Sequence, residues 1–249
     1  MFNPRARLSL HPLFGPHCVV ILDDALAEPE RWVERASLHA QAFVASPHNA
    51  YPGIELTMPD AIVERFKHLY EASIASHLAG ERVLQCHARL ALVTKRSSEL
   101  APPQWICHRD RLFVPPDQCV AACVTYLFHD PQLGGTSFFQ PKVDAQKINQ
   151  LVHDSGALPA PDFAARYGID PGYMRQSNAW FSHLSTIPPR FNRMIFYDGG
   201  IFHSSDIPND TLLSADPSRG RLTLNAFFTC RRRTAAGSSS STVAAHRAF

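Results

Sequence analysis

The chain has 249 residues, 45% hydrophobic and 18% charged, the composition of a globular protein with a sizeable core and not of a disordered one. Lys plus Arg exceed Asp plus Glu by 24 − 22 = 2, too even a balance for a nucleic-acid groove or a polybasic membrane surface. No run approaches the roughly 20 apolar residues that a spanning helix needs.

At the N-terminus, Met1 to His17 is interrupted by Pro4, Pro12 and Pro16 and holds no continuous apolar segment, so no secretory signal is expected and a cytoplasmic protein with reduced thiols is. Cys18 to Leu22 reads as a strand. A helix then starts at Pro29, with Trp32, Val33, Ala36, Ala40 and Phe43 at helical spacing. A second helix has Asp60 as N-cap, Gly80 as stop, and Ile62, Val63, Phe66, Leu69, Tyr70, Ile74 and Leu78 as its apolar stripe. From Val83 the pattern changes to short β-rich runs: 83–94, 105–107, 120–128, 136–140, 180–187, 194–197 and 222–229. Cys119 and Cys123 fall inside one of these runs. Four residues apart on a strand they stand about 13 Å apart, so they read as core cysteines and not as half of a zinc site.

Residues 142–188 form an excursion with helical character (145–152 and 162–167) that leaves the β core and returns to it, as a lid or substrate-binding segment does. The chain after Cys230 opens with three arginines and becomes Ala/Ser-rich, so 234–249 reads as a mobile tail. The expected organisation is one domain over 1–233, with a helical N-terminal part over 18–80. Its fold class is mainly β with flanking helices: a jelly-roll-like double sheet with the N-terminal helices packed on the major sheet.

Among thirteen histidines, most are ordinary surface residues. His108 differs, because it opens His108-Arg109-Asp110 directly after the apolar Trp105-Ile106-Cys107. On extended chain, positions i and i+2 share a side, so this imidazole and carboxylate can converge on one ion. His203, after the run 193–197 and the turn Asp198-Gly199-Gly200, is the candidate third ligand. Two histidines and one carboxylate with open positions suit non-haem Fe(II). The triplet 108–110 also spells a kinase catalytic-loop signature, but Pro115 stands where that loop needs Asn and no Gly-rich loop precedes it.

Near the end, 219–228 alternates strictly: Leu222, Leu224, Ala226 and Phe228 point one way, Arg221, Thr223 and Asn225 the other. Polar side chains along an inner face need polar partners. A dicarboxylate held by Arg221 in a two-point fork, with Thr223 donating, would supply them. Arg219 has the same parity and remains an alternative to Arg221.

The order His-x-Asp, Tyr126-Leu127, Gly134-Gly135-Thr136-Ser137, distal His203, then Arg221-Leu222-Thr223 resembles the Fe(II)/2-oxoglutarate-dependent dioxygenases, and most of all their prolyl-hydroxylase-like branch with its poorly characterised bacterial members. The likeness covers roughly residues 105–228. It implies a double-stranded β-helix (cupin-like) fold, with Fe(II) on His108, Asp110 and His203 and the cosubstrate 2-oxoglutarate held by Arg221 and Thr223. It implies that Tyr126 hydrogen-bonds the same carboxylate, and that O2 is consumed as an unactivated C–H bond is hydroxylated with release of succinate and CO2. A carboxylate at position 110, where related halogenases carry a small residue, favours hydroxylation. The interval from His203 to Arg221 is longer than is usual in the family; the Pro/Asp/Ser-rich stretch 207–218 accounts for it as a loop.

The substrate is expected to be an amino acid, a peptide or a related small acid. Its candidate contacts are Arg109, Arg111, Gln140, Trp180 and Asn225, with Arg89, Lys95, Tyr167 and Tyr173 near the mouth. No nucleic-acid or membrane partner is expected. Two other classes are compatible with the same residues: a β-helix module that binds a small ligand or protein without turnover, and a zinc hydrolase on the same three ligands.

Overall fold

The structure is a computed structural model, and it describes residues 1–45, 50–110 and 114–233. The anticipated tail over 234–249 and Arg111 lie outside the described residues. Among the described residues, ten strands form two antiparallel sheets. The larger takes β1 (Arg7–Phe14), β2 (His17–Asp23), β3 (Gly53–Thr57), β4 (Gly80–Val93), β5 (Gln118–Tyr126), β8 (Met194–Asp198) and β10 (Arg221–Arg232), in the order β1-β2-β8-β5-β10-β4-β3. The smaller takes β6 (Thr136–Pro141), β7 (Phe181–Ile187) and β9 (Phe202–Ser205), with β6 in the middle. This is a mainly β architecture, and the α-helices among the described residues are α1 (Pro29–Leu38), α2 (Asp60–Leu69), α3 (Ala145–Ala157) and α4 (Ala160–Tyr167). Among the described residues no helix is long and apolar enough to cross a membrane.

Strand alternation divides the large sheet into two chemically different faces. Leu222, Leu224, Ala226 and Phe228 of β10, with Ala88, Leu90 and Leu92 of β4, pack outward against Ala36 of α1 and Phe66 of α2. The N-terminal helices therefore lie on the major sheet, as expected. Phe66, Phe196 and Phe228 are completely buried there, and trimming one to alanine would cost about 3–5 kcal/mol. On the other face, Val19, Ala122, Tyr126, Phe138, Ile195 and Tyr197 fill the space between the two sheets at one end. Arg221, Thr223 and Asn225 alternate onto that inner face too, where the sheets enclose a cavity.

Several elements differ from the sequence reading. Residues 7–14, for which no element was expected, form edge strand β1, which tolerates Pro12 because the register slips between Pro12 and Phe14. The short strand β3 occupies the opposite edge. The second helix does not run to Gly80: α2 ends at Leu69, a π-turn covers Tyr70–Ile74 and a 3-10 turn Ala75–His77. Gly80 instead begins β4, where a Cβ would press on Cys230. Residues 105–107 are not a strand. Trp105, Ile106 and Cys107 are buried because they pack under α3, α4 and Phe181, in a core the 142–188 segment makes for itself. Cys119 and Cys123 are buried core residues on β5, as expected, and neither forms a disulfide.

Candidate metal centre and the cavity beside it

His108 and Asp110 sit on a loop, and backbone pairing holds that loop to the start of β9. The His108 N–H donates to the His203 carbonyl at 2.9 Å, and the His203 N–H returns to the His108 carbonyl at 2.8 Å. The Asp110 N–H donates to the Gly199 carbonyl at 2.8 Å, and the Gly199 N–H to the Val120 carbonyl of β5 at 2.9 Å. Gly199 permits this approach: a Cβ there would stand 3.0 Å from Val120 and 3.1 Å from Asp110. Two residues distant in sequence thus face each other across a two-bond bridge, with imidazole centroids 4.4 Å apart.

The donor atoms of His108, Asp110 and His203 all lie within 4.8 Å of one another. His203 Nδ1 is 2.8 Å from the Ile201 carbonyl, which makes Nδ1 the protonated nitrogen and leaves Nε2 free to ligate. That Nε2 stands 3.3 Å from Asp110 Oδ2, and His108 Nε2 stands 3.7 Å from Asp110 Oδ1. Adjacent donors around an ion bound at about 2.1 Å stand roughly 3 Å apart, so the group needs little closure to share a cation. Asp110 Oδ2 is buried and has no hydrogen-bond partner among the described residues. A divalent ion would satisfy it. Two imidazoles and a carboxylate fit a ferrous ion, and the arrangement leaves coordination positions open to the cavity.

The electrostatics agree with a site built for positive charge. Burial alone would raise the Asp110 carboxyl, but the attraction of His203 and His108 overcomes it and holds the group below the ordinary carboxylate range. Burial would lower His203, and Asp110 outweighs it, so this imidazole lies above its usual value. Burial, then the neighbouring His203, push His108 down to about 4. The His108 side chain is 57% exposed, but the surface it exposes faces the cavity.

The cavity has a volume of about 720 Å³ and runs from the three ligands along the inner face of β4 and β10. Arg221 closes its deep end. It is 3% exposed, and its Nε and Nη2 donate to the carbonyls of Gly134 at 3.1 Å and Gly135 at 2.7 Å. The rings of Tyr126 and Phe128 flank its guanidinium at 6.0 and 5.7 Å. No carboxylate lies within 4 Å of Arg221 among the described residues. A buried, unneutralised cation facing a cavity is a site for an anion. Arg219 is exposed in the preceding loop, which separates the two arginines that parity alone could not.

Of the other expected contacts, Thr223 and Asn225 line the cavity beside Arg221, and Arg109 lines its rim with its guanidinium over Phe202 at 4.8 Å. Tyr126 is not on the wall. It lies behind it, its hydroxyl 2.8 Å from Thr136 Oγ1, and only Thr136 reaches the cavity. Gln140 lies in a separate cleft with His17, Asp198 and Arg232. Trp180 is spent on packing, its indole N–H donating to the Tyr167 carbonyl at 2.9 Å. From the 142–188 segment, Tyr173 and Met174 reach the cavity, and Tyr173 is tied to the Lys95 carbonyl at 2.5 Å. Two wall residues had no signal in the sequence. Tyr51, from the loop before β3, sits beside Arg221 and Thr223, and burial pushes its hydroxyl up to about 12. Tyr197 packs edge-on against His203, 4.7 Å between centroids.

A family model matches residues 4–228, most of the chain. The chain belongs to DUF6445, a family of unknown function. No curated protein matches it. Solved structures similar to this DUF6445 chain include a Pseudomonas putida prolyl-4-hydroxylase, 16% identical, covering 88% of this chain and 94% of that one at a TM-score of 0.43. Another is EvdO2 from Micromonospora carbonacea var. aurantiaca, complexed with 2-oxoglutarate: 12% identical, 93% and 96% covered, TM-score 0.44. A third is HygX from Streptomyces hygroscopicus with iron bound: 11% identical, 84% and 81% covered, TM-score 0.46. Identities this low leave the function of a DUF6445 protein to be read from its side chains.

Proposed function

We propose that this protein is an Fe(II)- and 2-oxoglutarate-dependent dioxygenase that hydroxylates an unactivated C–H bond of a small molecule or peptide. The observation that carries the reading is one cavity with a two-histidine, one-carboxylate group on its wall and a buried arginine, without a carboxylate partner, at its deep end. The first suits a ferrous ion; the second suits the far carboxylate of a dicarboxylic acid.

In this reading His108, Asp110 and His203 hold the metal. The Ile201 carbonyl fixes the His203 tautomer, and the Gly199 carbonyl fixes the backbone of Asp110. Arg221 takes the distal carboxylate. Its plane is set by the Gly134 and Gly135 carbonyls, so the remaining N–H groups are oriented before the ligand arrives. Thr223 and Tyr51 supply hydroxyls beside it. Tyr126 supports the wall through Thr136 and stays out of contact with the ligand. Iron with 2-oxoglutarate and O2 supplies the chemistry: the cosubstrate becomes succinate and CO2, one oxygen atom entering succinate and the other the substrate C–H bond. The protein's own part is to bind, orient and keep water from the reacting positions.

Purified protein supplied with Fe(II) and 2-oxoglutarate in air is expected to form succinate slowly without substrate and faster with one. No succinate under either condition, across amino acids and peptides, would contradict the reading.

A further inference from the structure

Beyond Arg221 and Thr223 the same wall carries polar groups that the metal and the dicarboxylate leave unused. Asn225 is 6% exposed and lines the cavity, and its Oδ1 has no hydrogen-bond partner among the described residues. Directly opposite it in the β4–β10 register is Arg89, whose Nε is also buried without a partner. An acceptor and a donor thus stand on neighbouring strands, both withdrawn from water and both unsatisfied, which folded chains rarely tolerate without a ligand to meet them. The wall around them is flat. The Arg89 guanidinium lies 4.7 Å from the Phe227 ring, and His87 stacks on the same ring at 5.0 Å and 16°.

We propose that Asn225 and Arg89 recognise a planar, neutral amide edge of the substrate, a primary carboxamide or an extended peptide residue. The proposal rests on the oxygenase reading for the word substrate, but not for the binding itself. A primary carboxamide offers what the pair lacks along one edge, a carbonyl for the Arg89 N–H and an N–H for the Asn225 oxygen, and an extended peptide residue presents its own N–H and carbonyl on one side in the same way. A carboxylate offers no donor to Asn225. Nor does Arg89 call for one, because Glu55 already neutralises it at 3.0 Å. A flat group also suits the Phe227–His87–Arg89 surface better than a tetrahedral alcohol carbon does. The cavity's volume accommodates a drug-sized ligand beside a five-carbon diacid. This wall therefore selects against the free-acid end of the expected substrate range and for amides and peptides.

The test uses full-length protein with nickel(II) in place of iron, with and without 2-oxoglutarate. The probes are amino-acid amides across the common side chains other than Asn and Gln and their matching free acids, which carry no amide, with affinities measured by ligand-observed NMR and calorimetry. At least one amide is expected to bind, with its free acid about 10-fold weaker or more. Asn225→Ala should cost that amide about 10-fold. Asn225→Asp keeps the acceptor and the volume, so it should retain amide binding while rejecting acids further. Thermal melts of both variants verify folding. Three results would overturn the proposal: no amide binds, amide and acid bind alike, or Asn225→Ala leaves amide affinity unchanged. Equal weakening of 2-oxoglutarate and amide in Asn225→Ala would also overturn it, by assigning Asn225 to the cosubstrate. The two readings fail separately. If 2-oxoglutarate does not bind the metal-loaded protein while an amide binds through Asn225, the oxygenase reading falls and this one stands.

Discussion

Arg221 and Arg219 stand two positions apart and share strand parity, but only Arg221 is buried at the end of the cavity. Arg221→Lys keeps the charge and loses the fork, so the KM for 2-oxoglutarate should rise about 10- to 100-fold. Arg219→Ala should leave it unchanged; initial-rate kinetics on succinate release separates the two. Asp110→Ala removes the one carboxylate of the metal group and should abolish both metal binding by calorimetry and succinate formation. Retention of either would show that another residue ligates. The metal group was legible because His-x-Asp and a histidine after a β run are spacing signals. Arg221, Thr223 and Asn225 were legible because alternation leaves polar residues facing inward. Tyr51 and Tyr197 were not: one comes from a loop with no periodicity, the other reads as one more apolar strand residue. Gln140 and Trp180 were plausible by sequence proximity alone; Gln140 is exposed in a separate cleft, and Trp180 packs against Tyr167.

The elements that present these side chains depend on a few backbone positions. Gly134 has φ +79°, and a Cβ there would overlap the Asp206 carbonyl, so the Gly134-Gly135 corner that receives Arg221 can be built only from glycine. Gly15 also has positive φ, at +50°, but open space around it. Gly15→Ala should therefore cost only about 1–2 kcal/mol. Gly134→Ala should cost more than that and weaken 2-oxoglutarate binding as well; denaturant melts and calorimetry check both. In the 142–188 segment, Asp154 ties α3 to α4: Tyr167 donates to it at 2.6 Å, Gln150 at 2.6 Å, and Arg166 pairs with it at 3.1 Å. The Tyr167 hydrogen bond, then that of His153, hold its carboxyl down at about 2. Because this value lies below that of the unfolded chain, near 4, the stabilisation is complete above about pH 4 and is lost as the pH falls through about 2. Trp180 hydrogen-bonds the Tyr167 carbonyl, so its fluorescence should report a transition in that window. Asp154→Asn should remove the acid transition and lower the neutral-pH melting temperature. A transition unchanged in the variant would assign it elsewhere.

At the scale of the molecule, the large sheet separates its two tasks by face: aliphatic and aromatic residues toward α1 and α2, polar and charged residues toward the cavity. The mainly β class, most of the major strands and the outer helices could be read from periodicity, since the alternation repeats this division. The order of the strands in the sheets, the sheet edges and local packing could not. Strand β1 is hidden by Pro12 and by its mostly exposed residues, and the buried run 105–107 owes its apolar character to α3 and α4, not to strand pairing. The feature that ties the chemistry to the fold is long-range: a loop before β5 and a strand after β8 are clasped together, with Arg221 at the far end of the same cavity. Calorimetric titration of 2-oxoglutarate into the protein, with and without a bound divalent metal and without O2, tests this directly. One molecule per chain should bind only when metal is present, and the heat should vanish in Asp110→Ala and fall sharply in Arg221→Lys. Binding that ignores the metal, or none at all in metal-loaded protein, would contradict the account.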